Sequence, residues 1–336
     1  MKKYAIMKTV TYIGGSDYTM ATIKEVAQLA GVSVATVSRV INNNGYVKAD
    51  TKLQIEQAIK QLNYKPNEAA RTLFKKKSKI IGLLLPDISN PFFMLIARGV
   101  EDIALKHGFQ VLIGNSDNSL EKAKGYINTF NSHNCIGIIS TAFDHHSITE
   151  LIATQSLPVV FVDRLNKEQN GISTNHYRGG ELQAQIVING DAQHVLLLHE
   201  DLTIETFKLR YKGAKHVLEQ VNIKVIDCPV STLQDAKLFE TILTTQYIDS
   251  IICSNDMIAI QVLGMIQQLN YKVPEAIQIV GYDNIPFSKM TYPQITTVDQ
   301  SAYRLGTTAV SKLLNIDEAD CEQIKLIIKK RQSTRN

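Results

Sequence analysis

The stretch "GVSVATVSRVINNNGYVKADT", residues 31–51, places a short polar helix between two loop signals. Gly31 can supply a left-handed turn, and Ser33 can cap a helix that begins at about Val34 and ends at about Ile41. Its inward face would carry Val37, Val40 and Ile41. Its outward face would carry Val34, Ala35, Thr36, Ser38 and Arg39. A helix with such a face fits the major groove of DNA.

Two more helices are expected beside this one. Thr22 can cap a first helix, whose inner face would carry Ile23, Val26, Ala27 and Ala30. A third helix, from about Ala49 to Leu62, would add Leu53, Ile55, Ala58, Ile59 and Leu62 to a shared core. Two short helices joined by a tight glycine turn predict a helix-turn-helix. A three-helix packing module without a nucleic acid partner has the same spacing, so the pattern alone leaves that alternative open.

Charge along the chain favours the nucleic acid partner. The chain of 336 residues has a net charge of only +4. Residues 1–79, however, hold 14 basic and 5 acidic residues, a net charge of +9, while the rest of the chain carries −5. A positive field concentrated at one end is typical of a protein that binds a polyanion.

Two motifs here, VS-x-x-TVSRV-x-N and LNY-x-PN-x-x-A-x-x-L, resemble the DNA-binding head of the lactose/galactose repressor family. The resemblance implies that Val34, Ala35 and Arg39 reach base edges. It implies contacts to phosphates, or a role in holding the helix in register, for Ser33, Thr36, Ser38 and Asn42. Phosphate contacts position a protein on DNA, whereas base contacts specify the sequence. Thr22, at the predicted first cap, is counted with this DNA-binding set.

The segment "YKPNEAARTLFKKKSK" follows the head. Pro66 can begin a helix of about two turns, which is marginal in water by itself. The resemblance implies a hinge helix that orders on operator DNA, where Leu73 would open a base step in the minor groove and Ala70 would allow close approach. Asn67 is counted with these DNA contacts. A disordered lysine linker is the alternative, and it fits the free protein equally well.

From Ile80 onward, short apolar runs alternate with helical segments. The expected strands are "KIIGLLLP", "FQVLIGN", "CIGIIST", "PVVFVD", "HVLLLH", "IDSIICS", "IQIVGYD", "QITTVDQ" and a last one in "KLIIKKRQSTR". The expected helices lie near 91–107, 119–132, 147–156, 176–189, 205–220, 232–246 and 255–270. This alternation predicts α/β architecture with two doubly wound parallel sheets.

Polar residues follow several of these strands: Asp87, Asn90, Asp163, Arg164, Asn255, Asp256 and Asp283. Because ligands bind beyond the carboxyl ends of parallel strands, the cluster predicts a binding cleft. Asp87, Asn90 and Asp256 could instead simply cap the next helix.

The body, too, is similar to sugar-responsive regulators of the same family and to the periplasmic ribose-binding protein, through "NPFF", "VDR", "ND", "GYD" and "VDQ". The similarity implies that Phe92 and Phe93 stack on a pyranose. It implies hydrogen bonds to sugar hydroxyls from Asp163, Arg164, Arg210, Asn255, Asp283 and Gln300. Arg210 rests on the looser match "LRYKG", and an aromatic expected near 230–240 has no counterpart except Phe239.

Two aspartates and two arginines in that set sum to zero charge, which suits a neutral polyol, and ribose is favoured.

The predicted protein is a cytoplasmic repressor that binds a pseudo-palindromic operator as a homodimer, with no membrane partner and no cofactor or metal. A catabolite-control regulator that answers to a phosphorylated carrier protein is the nearest alternative. A solute-binding protein and a sugar-processing enzyme belong to other classes, and the usual catalytic motifs are absent from the sequence.

The predicted domains are a helix-turn-helix head at 21–65, a hinge at 66–78 and a core at 79–336. Within the core, one subdomain is expected at about 79–163 and 292–324, and the other at about 164–291 and 325–336. Residues 1–20 form an extension with no clear period, and Met20 is hypothesised to be the natural start; amino-terminal sequencing of protein made from its own promoter tests this. Four widely spaced cysteines predict inert thiols.

Overall fold

The computed structural model describes residues 21–65, 78–141, 146–163, 170–316 and 324–335. The chain divides into two compact units, Met1–Lys76 and Lys77–Asn336. The predicted extension, the hinge contacts Asn67, Ala70 and Leu73, and the predicted sugar contact Arg164 all lie outside the described residues.

Within residues 21–65 the first unit has three helices: α1 (Ile23–Leu29), α2 (Val34–Ile41) and α3 (Ala49–Gln61). Thr22 and Glu25 form a reciprocal capping box at the start of α1. The Ser33 hydroxyl accepts the Thr36 N–H at 3.2 Å and caps α2. Gly31 has φ +64°, the left-handed value that the turn between α1 and α2 requires. The predicted helix-turn-helix geometry is confirmed.

A small apolar cluster holds the head together, with Val26, Ala27, Val37, Ile55 and Ala58 buried at its centre. The prediction that Leu53 joins this core is wrong, because its side chain is 57% exposed. Leu53 lies two positions before Ile55, which on an α-helix turns it to the opposite face.

The second unit alternates strands and helices. Its described strands are β1 (Ile80–Leu85), β2 (Gln110–Asn115), β3 (Ile138–Thr141), β4 (Val159–Val162), β5 (Gly171–Ile172), β6 (His194–His199), β7 (Lys224–Pro229), β8 (Ser250–Ile252), β9 (Gln278–Tyr282), β10 (Thr296–Asp299) and β11 (Ile327–Lys329). Its described helices are α4 (Pro91–Lys106), α5 (Leu120–Ser132), α6 (His146–Ala153), α7 (His176–Asn189), α8 (Glu205–Gln220), α9 (Ala236–Thr245), α10 (Asp256–Gln268) and α11 (Ala302–Leu314).

In the described residues the strands form a five-stranded sheet, β2-β1-β3-β4-β5, and a six-stranded sheet, β11-β10-β9-β8-β6-β7. All pairs are parallel except β10 with β11. Alternate residues of β1 enter different cores, with Leu83 in one and Leu84 in the other, and Leu196 and Leu197 of β6 divide in the same way. Each sheet is therefore covered by helices on both faces, which confirms the doubly wound architecture.

Three elements were not predicted. The short strand β5 and the edge strand β7 lack a strong apolar run, and three of the six residues of β7 are exposed. Helix α11 has the sequence AYRLGTTAVSKLL, whose buried residues Ala302, Leu305 and Ala309 follow helical spacing, so the sequence carried its signal and the prediction missed it. The two strands form because neighbouring strands supply their contacts, which no local window contains.

The predicted subdomain boundaries need correction at two places. Residues 171–172 pair with β4 in the first sheet, although 164–291 was assigned to the second subdomain. Residues 296–299 pair with β9 in the second sheet, although 292–324 was assigned to the first. The chain crosses between subdomains near Thr174 and near Gln300, because strand pairing, and not strand order, decides membership of a sheet.

Three cysteines in the described residues, Cys135, Cys228 and Cys253, are buried and free, and burial raises the pKa of the Cys135 thiol to about 11. These three agree with the prediction of inert thiols, while Cys321 lies outside the described residues. The helices that the structure describes include none long and apolar enough to cross a bilayer.

Glycines allow two helix pairs to pack backbone against backbone. A Cβ on Gly180 of α7 would lie 1.9 Å from the Arg210 carbonyl oxygen of α8, and one on Gly213 would lie 2.0 Å from the Tyr177 carbonyl oxygen. Gly99 of α4 and Gly306 of α11 make the equivalent approach, each 2.2 Å from a facing carbonyl oxygen. Backbone cannot yield as a side chain can, so these positions exclude any larger residue.

The Gly180→Ala substitution is therefore expected to lower the free energy of unfolding by about 1–3 kcal/mol through overpacking. The matched control is Gly264→Ala in α10, where a Cβ would meet no atom within 4 Å. There, alanine is expected to raise the free energy of unfolding by about 0.4–1 kcal/mol, because it restricts the unfolded chain. Urea unfolding of both variants measures the difference, and equal stabilities would contradict the close packing of α7 on α8.

Candidate functional site

The outward face of α2 in the head is the candidate DNA-binding surface. Val34 is 40% exposed, Ala35 and Arg39 are exposed, and Val37 behind them is fully buried. This separation leaves short side chains and one guanidinium on the surface without cost to the core. These residue types can reach base edges in a major groove.

The predicted phosphate contacts lie at the two ends of α2 and bond to one another. The hydroxyls of Ser33 and Thr36 lie 2.9 Å apart, and Asn42 Nδ2 donates to the Ser38 carbonyl oxygen at 2.7 Å. Asn42 also donates to Ser38 Oγ at 3.1 Å. These bonds brace the helix ends, which fits a role in holding α2 in register.

An exposed aromatic that sequence reasoning missed follows α2. Tyr46 is 88% exposed, and the preceding Gly45 has φ +89°. A Cβ added to Gly45 would lie 3.9 Å from Arg39 Cδ, so the turn lies beside the Arg39 side chain. The signal available in the sequence was an aromatic residue beside a glycine turn. The loop extends the polar surface next to Arg39.

In the core unit, the segments that cross between subdomains bring the predicted cleft residues together. Gln300 Nε2 donates to Asp283 Oδ1 at 2.7 Å, and Thr174 Oγ1 donates to Gln300 Oε1 at 3.1 Å. Gln300 is fully buried and Asp283 is 5% exposed. These two hydrogen bonds form a bridge between the two segments at which the chain crosses between the subdomains, and those segments lie far apart in the sequence.

A second contact spans the same region. His176 Nε2 lies 3.3 Å from Asp163 Oδ1 and 3.2 Å from the Asp163 carbonyl oxygen. Asp163 follows β4 of the first sheet, whereas His176 begins α7 of the second subdomain. The imidazole Nδ1 is buried and has no hydrogen-bond partner among the described residues, so it can bond a ligand.

Of the two arginines in the predicted sugar set, Arg210 lies within the described residues, and it is only 6% exposed. Its Nη1 donates to the Ser254 carbonyl oxygen at 2.7 Å, and its guanidinium carbon lies 4.2 Å from the centre of the Tyr282 ring and 5.1 Å from that of Phe207. The Nε of Arg210 and the hydroxyl of Thr206 are buried without a partner in the described parts of the chain. These donors are available to an oxygen-rich ligand.

Burial dominates the electrostatics of this cluster. It raises the pKa of the Asp283 carboxyl well above its usual value, and the Arg210 guanidinium opposes that rise. Burial also raises the pKa of the Asp256 carboxyl to about 7. Such perturbed carboxyls in a cleft are typical of a functional site.

Phe92 and Phe93 begin α4, which Asn90 caps through the Phe92 N–H at 3.0 Å. Their ring centres lie 5.2 Å apart in an edge-on arrangement, and both rings are buried, at 3% and 5% exposure. The capping alternative therefore holds for Asn90. The stacking of these rings on a sugar stays a prediction.

The side chain of Asn255 makes two hydrogen bonds. Its Oδ1 accepts the Ile258 N–H at 2.9 Å and caps α10, and its Nδ2 donates to Glu200 Oε1 at 3.3 Å. Asp87 accepts the Ser89 N–H at 2.8 Å, a local turn contact. Asp256 is fully buried and accepts the Ile285 N–H at 2.9 Å, so it joins two segments and caps neither.

The aromatic that was expected near 230–240 is not Phe239. Phe239 is fully buried in an apolar core cluster, which leaves no exposed ring face for a sugar. Phe207, three positions before Arg210 and thus on the same face of α8, contacts the guanidinium instead. Helical spacing from Arg210 was the signal that could have found it.

Sequence reasoning also missed Thr174, His176, Glu200 and Tyr282. Tyr282 stands inside the matched "GYD" and could have been inferred from it. Glu200 directly follows the predicted strand HVLLLH, so the strand-end signal that found Asp163 and Asp283 could have found it as well. Thr174 and His176 carry no such signal, because each meets its partner only in the folded chain.

A small cavity of about 20 Å³ opens at the carboxyl ends of β6 and β8. Its lining includes Leu198, His199, Glu200, Phe207, Arg210 and Ser254. Its polar side carries charges and hydroxyls, which can bond the hydroxyl groups of a ligand, but the space has room for about one water molecule unless the cleft opens further.

Comparison with known proteins assigns the family. The model for bacterial regulatory proteins of the lacI family matches residues 22–67, and a periplasmic binding protein domain matches residues 81–318. The ribose operon repressor of Bacillus subtilis (strain 168) is 42% identical over 301 residues, which is 88% of this chain and 92% of that protein. This chain belongs to the lacI family. It is a sugar-responsive, DNA-binding transcriptional repressor and not an enzyme.

Solved structures of relatives agree with the architecture of this lacI-family regulator. The lac repressor dimer bound to operator and the anti-inducer ONPF has a TM-score of 0.83 at 25% identity, covering 95% of this chain and all of that one. A periplasmic binding ribose operon repressor protein from Lactobacillus acidophilus has a TM-score of 0.65 at 26% identity, covering 77% of this chain and all of that one.

Proposed function

We propose that this regulator represses transcription by binding a pseudo-palindromic operator, and that a small neutral sugar, with ribose favoured, binds the cleft and releases it. The bridge from Thr174 through Gln300 to Asp283 carries this proposal, because it lies on the segments that join the subdomains and includes two of the residues predicted to bind the sugar. A ligand held there can alter the angle between the subdomains. The relative that is 42% identical is named a ribose operon repressor, which supports ribose.

The chemistry of the cleft supports a polyol. The buried Arg210 Nε donor and the buried Nδ1 of His176 stand near the carboxyls of Asp163 and Asp283. A site that hydrogen-bonds hydroxyls rejects analogues that lack them, because its own buried polar groups are then left unpaired. Arg164, which follows Asp163 in the sequence, is proposed as a further donor.

A homodimer is proposed as the DNA-binding form, because two-fold symmetry matches a pseudo-palindrome. The core unit has an apolar strip in and after the 3₁₀ turn Pro286–Lys289, where Phe287 is 48%, Met290 74% and Tyr292 85% exposed. Clustered exposed apolar side chains are typical of a protein interface. The relative of known structure is named as a dimer on its operator.

Operator release is proposed to act through the hinge. If the sugar closes the cleft, the first subdomain shifts, and the paired hinge helices with Asn67, Ala70 and Leu73 lose their support on the duplex. A coupling free energy of about 1–3 kcal/mol is typical of such linkage. By reciprocity, operator DNA must weaken sugar binding by the same factor. The protein is proposed to work in the cytoplasm, where the operator lies.

Operator binding titrated with free and phosphorylated sugars tests this function. Ribose is expected to raise the operator Kd by about 5- to 150-fold, measured by fluorescence anisotropy at fixed salt. If ribose gives no heat in calorimetry and a phosphorylated carrier protein raises operator affinity, the catabolite-control alternative is correct. Sugar binding without any operator binding would point to a solute-binding protein.

A further inference from the structure

The predicted sugar contact Asp283 begins a turn, residues 283–285, whose backbone has an unusual conformation. Asp283 has φ +107°, which lies outside even the small left-handed region that residues with a Cβ can enter. A strained residue of this kind persists only where the surrounding structure holds it in place, and such residues cluster at functional sites. The contacts that hold this turn therefore decide where the Asp283 carboxyl lies.

The three successive backbone N–H groups of the turn all have acceptors. The first, from Asp283, donates to the Val298 carbonyl oxygen at 2.8 Å, and the next donates to Thr297 Oγ1 at 3.3 Å. The third, from Ile285, donates to Asp256 Oδ2 at 2.9 Å. The first two acceptors belong to β10 and the third begins α10, so a strand and a helix hold the turn together.

Asp256 provides the contact from the helix, and it directly follows Asn255, another predicted sugar contact. Its side chain is fully buried. Its Oδ2 bonds to the turn, and its Oδ1 faces β9, where a Cβ added to Gly281 would lie 2.1 Å away. Both oxygens are directed at the protein, so Asp256 can affect a ligand only through the residues that it positions.

We propose that Asp256 is a positioning residue of the effector site, which holds the turn at Asp283 and thereby fixes the Asp283 carboxyl relative to Asn255. The inference rests on the proposed function, since it assumes that the cleft binds a neutral sugar. It adds to that function a residue that does not touch the sugar and that sets the geometry of two predicted sugar contacts.

Asp256→Ala is expected to lower sugar affinity about tenfold, because it leaves the Ile285 N–H buried without an acceptor and lets the strained backbone of Asp283 relax. Asp256→Asn keeps an oxygen acceptor of the same size and should restore the affinity to within about threefold of wild type. A residue that only stabilised the fold would lower the unfolding temperature and leave the sugar affinity of the folded protein unchanged.

Calorimetry on the full-length protein measures affinity for ribose, with glucose and fructose as further neutral probes. Ser333→Ala is the matched control. The fully buried Ser333 hydroxyl donates to the Ile279 carbonyl oxygen at 2.6 Å and accepts the Thr296 N–H at 2.8 Å. Two buried hydrogen bonds of β9 and β10 are thus lost without a contact to the turn, and sugar affinity should stay within about twofold of wild type.

A double-mutant cycle separates positioning from general stability. If Asp256 acts through Asp283, Asp256→Ala should cost about tenfold in the wild-type background and less than about twofold when Asp283→Ala is already present. Thr297→Val removes the acceptor of the middle N–H of the turn and should lower sugar affinity about threefold. Thermal unfolding verifies that each variant is folded.

Unchanged sugar affinity in Asp256→Ala, or an equal loss in both backgrounds, would refute the positioning role and leave the repressor function intact. The same conclusion follows if Asp256→Asn binds sugar no better than Asp256→Ala. Should Asp256→Ala fail to fold, Thr297→Val decides, and wild-type affinity in that variant would refute the role. A wild type that binds none of the three sugars would reject the proposed function and the positioning role together.

Discussion

Replacing Asp283 by alanine is expected to abolish the response to sugar and to leave operator binding intact. Asp283 is 5% exposed, it accepts the Gln300 amide at 2.7 Å, and burial raises the pKa of its carboxyl well above the usual value while the Arg210 guanidinium opposes that rise. The substitution removes a carboxyl acceptor for the sugar and leaves Gln300 Nε2 without its partner. Losing one partner of a buried hydrogen bond costs about 1–3 kcal/mol, so sugar affinity should fall about 5- to 150-fold. Calorimetry measures the sugar affinity and anisotropy the operator affinity.

Asp227→Ala is the matched control for this experiment. Asp227 belongs to β7 of the same sheet and pairs on the surface with Lys215 Nζ at 2.7 Å, so the aspartate that is lost lies outside the predicted sugar set. Its sugar response should remain within about twofold of wild type, because surface ion pairs contribute little. If Asp283→Ala still releases operator DNA on ribose, the cleft is not the effector site.

The second large effect is expected from Arg39→Ala in the head. Arg39 is exposed on α2, and a guanidinium that bonds a guanine edge bidentately contributes about 1–3 kcal/mol of base discrimination. Operator affinity should fall about 5- to 150-fold, while affinity for random DNA falls far less. Anisotropy with operator, single-base variants and random duplex measures both, and discrimination should relax at one position of each half-site.

Lys60→Ala provides the control, because Lys60 is an exposed cation in the last turn of α3 with no predicted base contact. It removes the same charge, so any loss of affinity should be equal for operator and random DNA. If Arg39→Ala weakens both duplexes equally, Arg39 contacts phosphate and does not read a base. Far-ultraviolet circular dichroism confirms that the head remains folded in each variant.

The head shows how far local signals reach. Thr22, Gly31 and Ser33 fix the helix ends through bonds to residues at most three positions away, so a short window of sequence contains the whole cause. Leu53 was predicted to be buried because it is apolar. Its angular position on α3, two residues before Ile55, places it on the opposite face of the helix. The DNA contacts themselves remain predictions, since they depend on a partner.

The cleft was only partly predictable. The strand ends placed Asp163, Asn255 and Asp283 correctly at the edges of the sheets, because parallel strands end at a common edge. Thr174 follows no pattern, since its partner Gln300 lies 126 residues away. Glu200 does follow a predicted strand directly, but its partner Asn255 lies 55 residues away. Phe239, named only as the one counterpart of an expected aromatic, is buried in the core of the folded chain.

By itself the sequence determined the helix-turn-helix, the doubly wound architecture, the family and most of the polar residues of the cleft. Helix caps, turns and hydrophobic periodicity depend on interactions between residues that are close in the sequence. A short segment therefore contains all the residues that make these interactions. Only the tertiary structure decided which subdomain holds β10, which glycines must remain glycine and which side chains meet in the cleft. Those features depend on contacts between distant segments, whose free energy exists only when both segments are packed together.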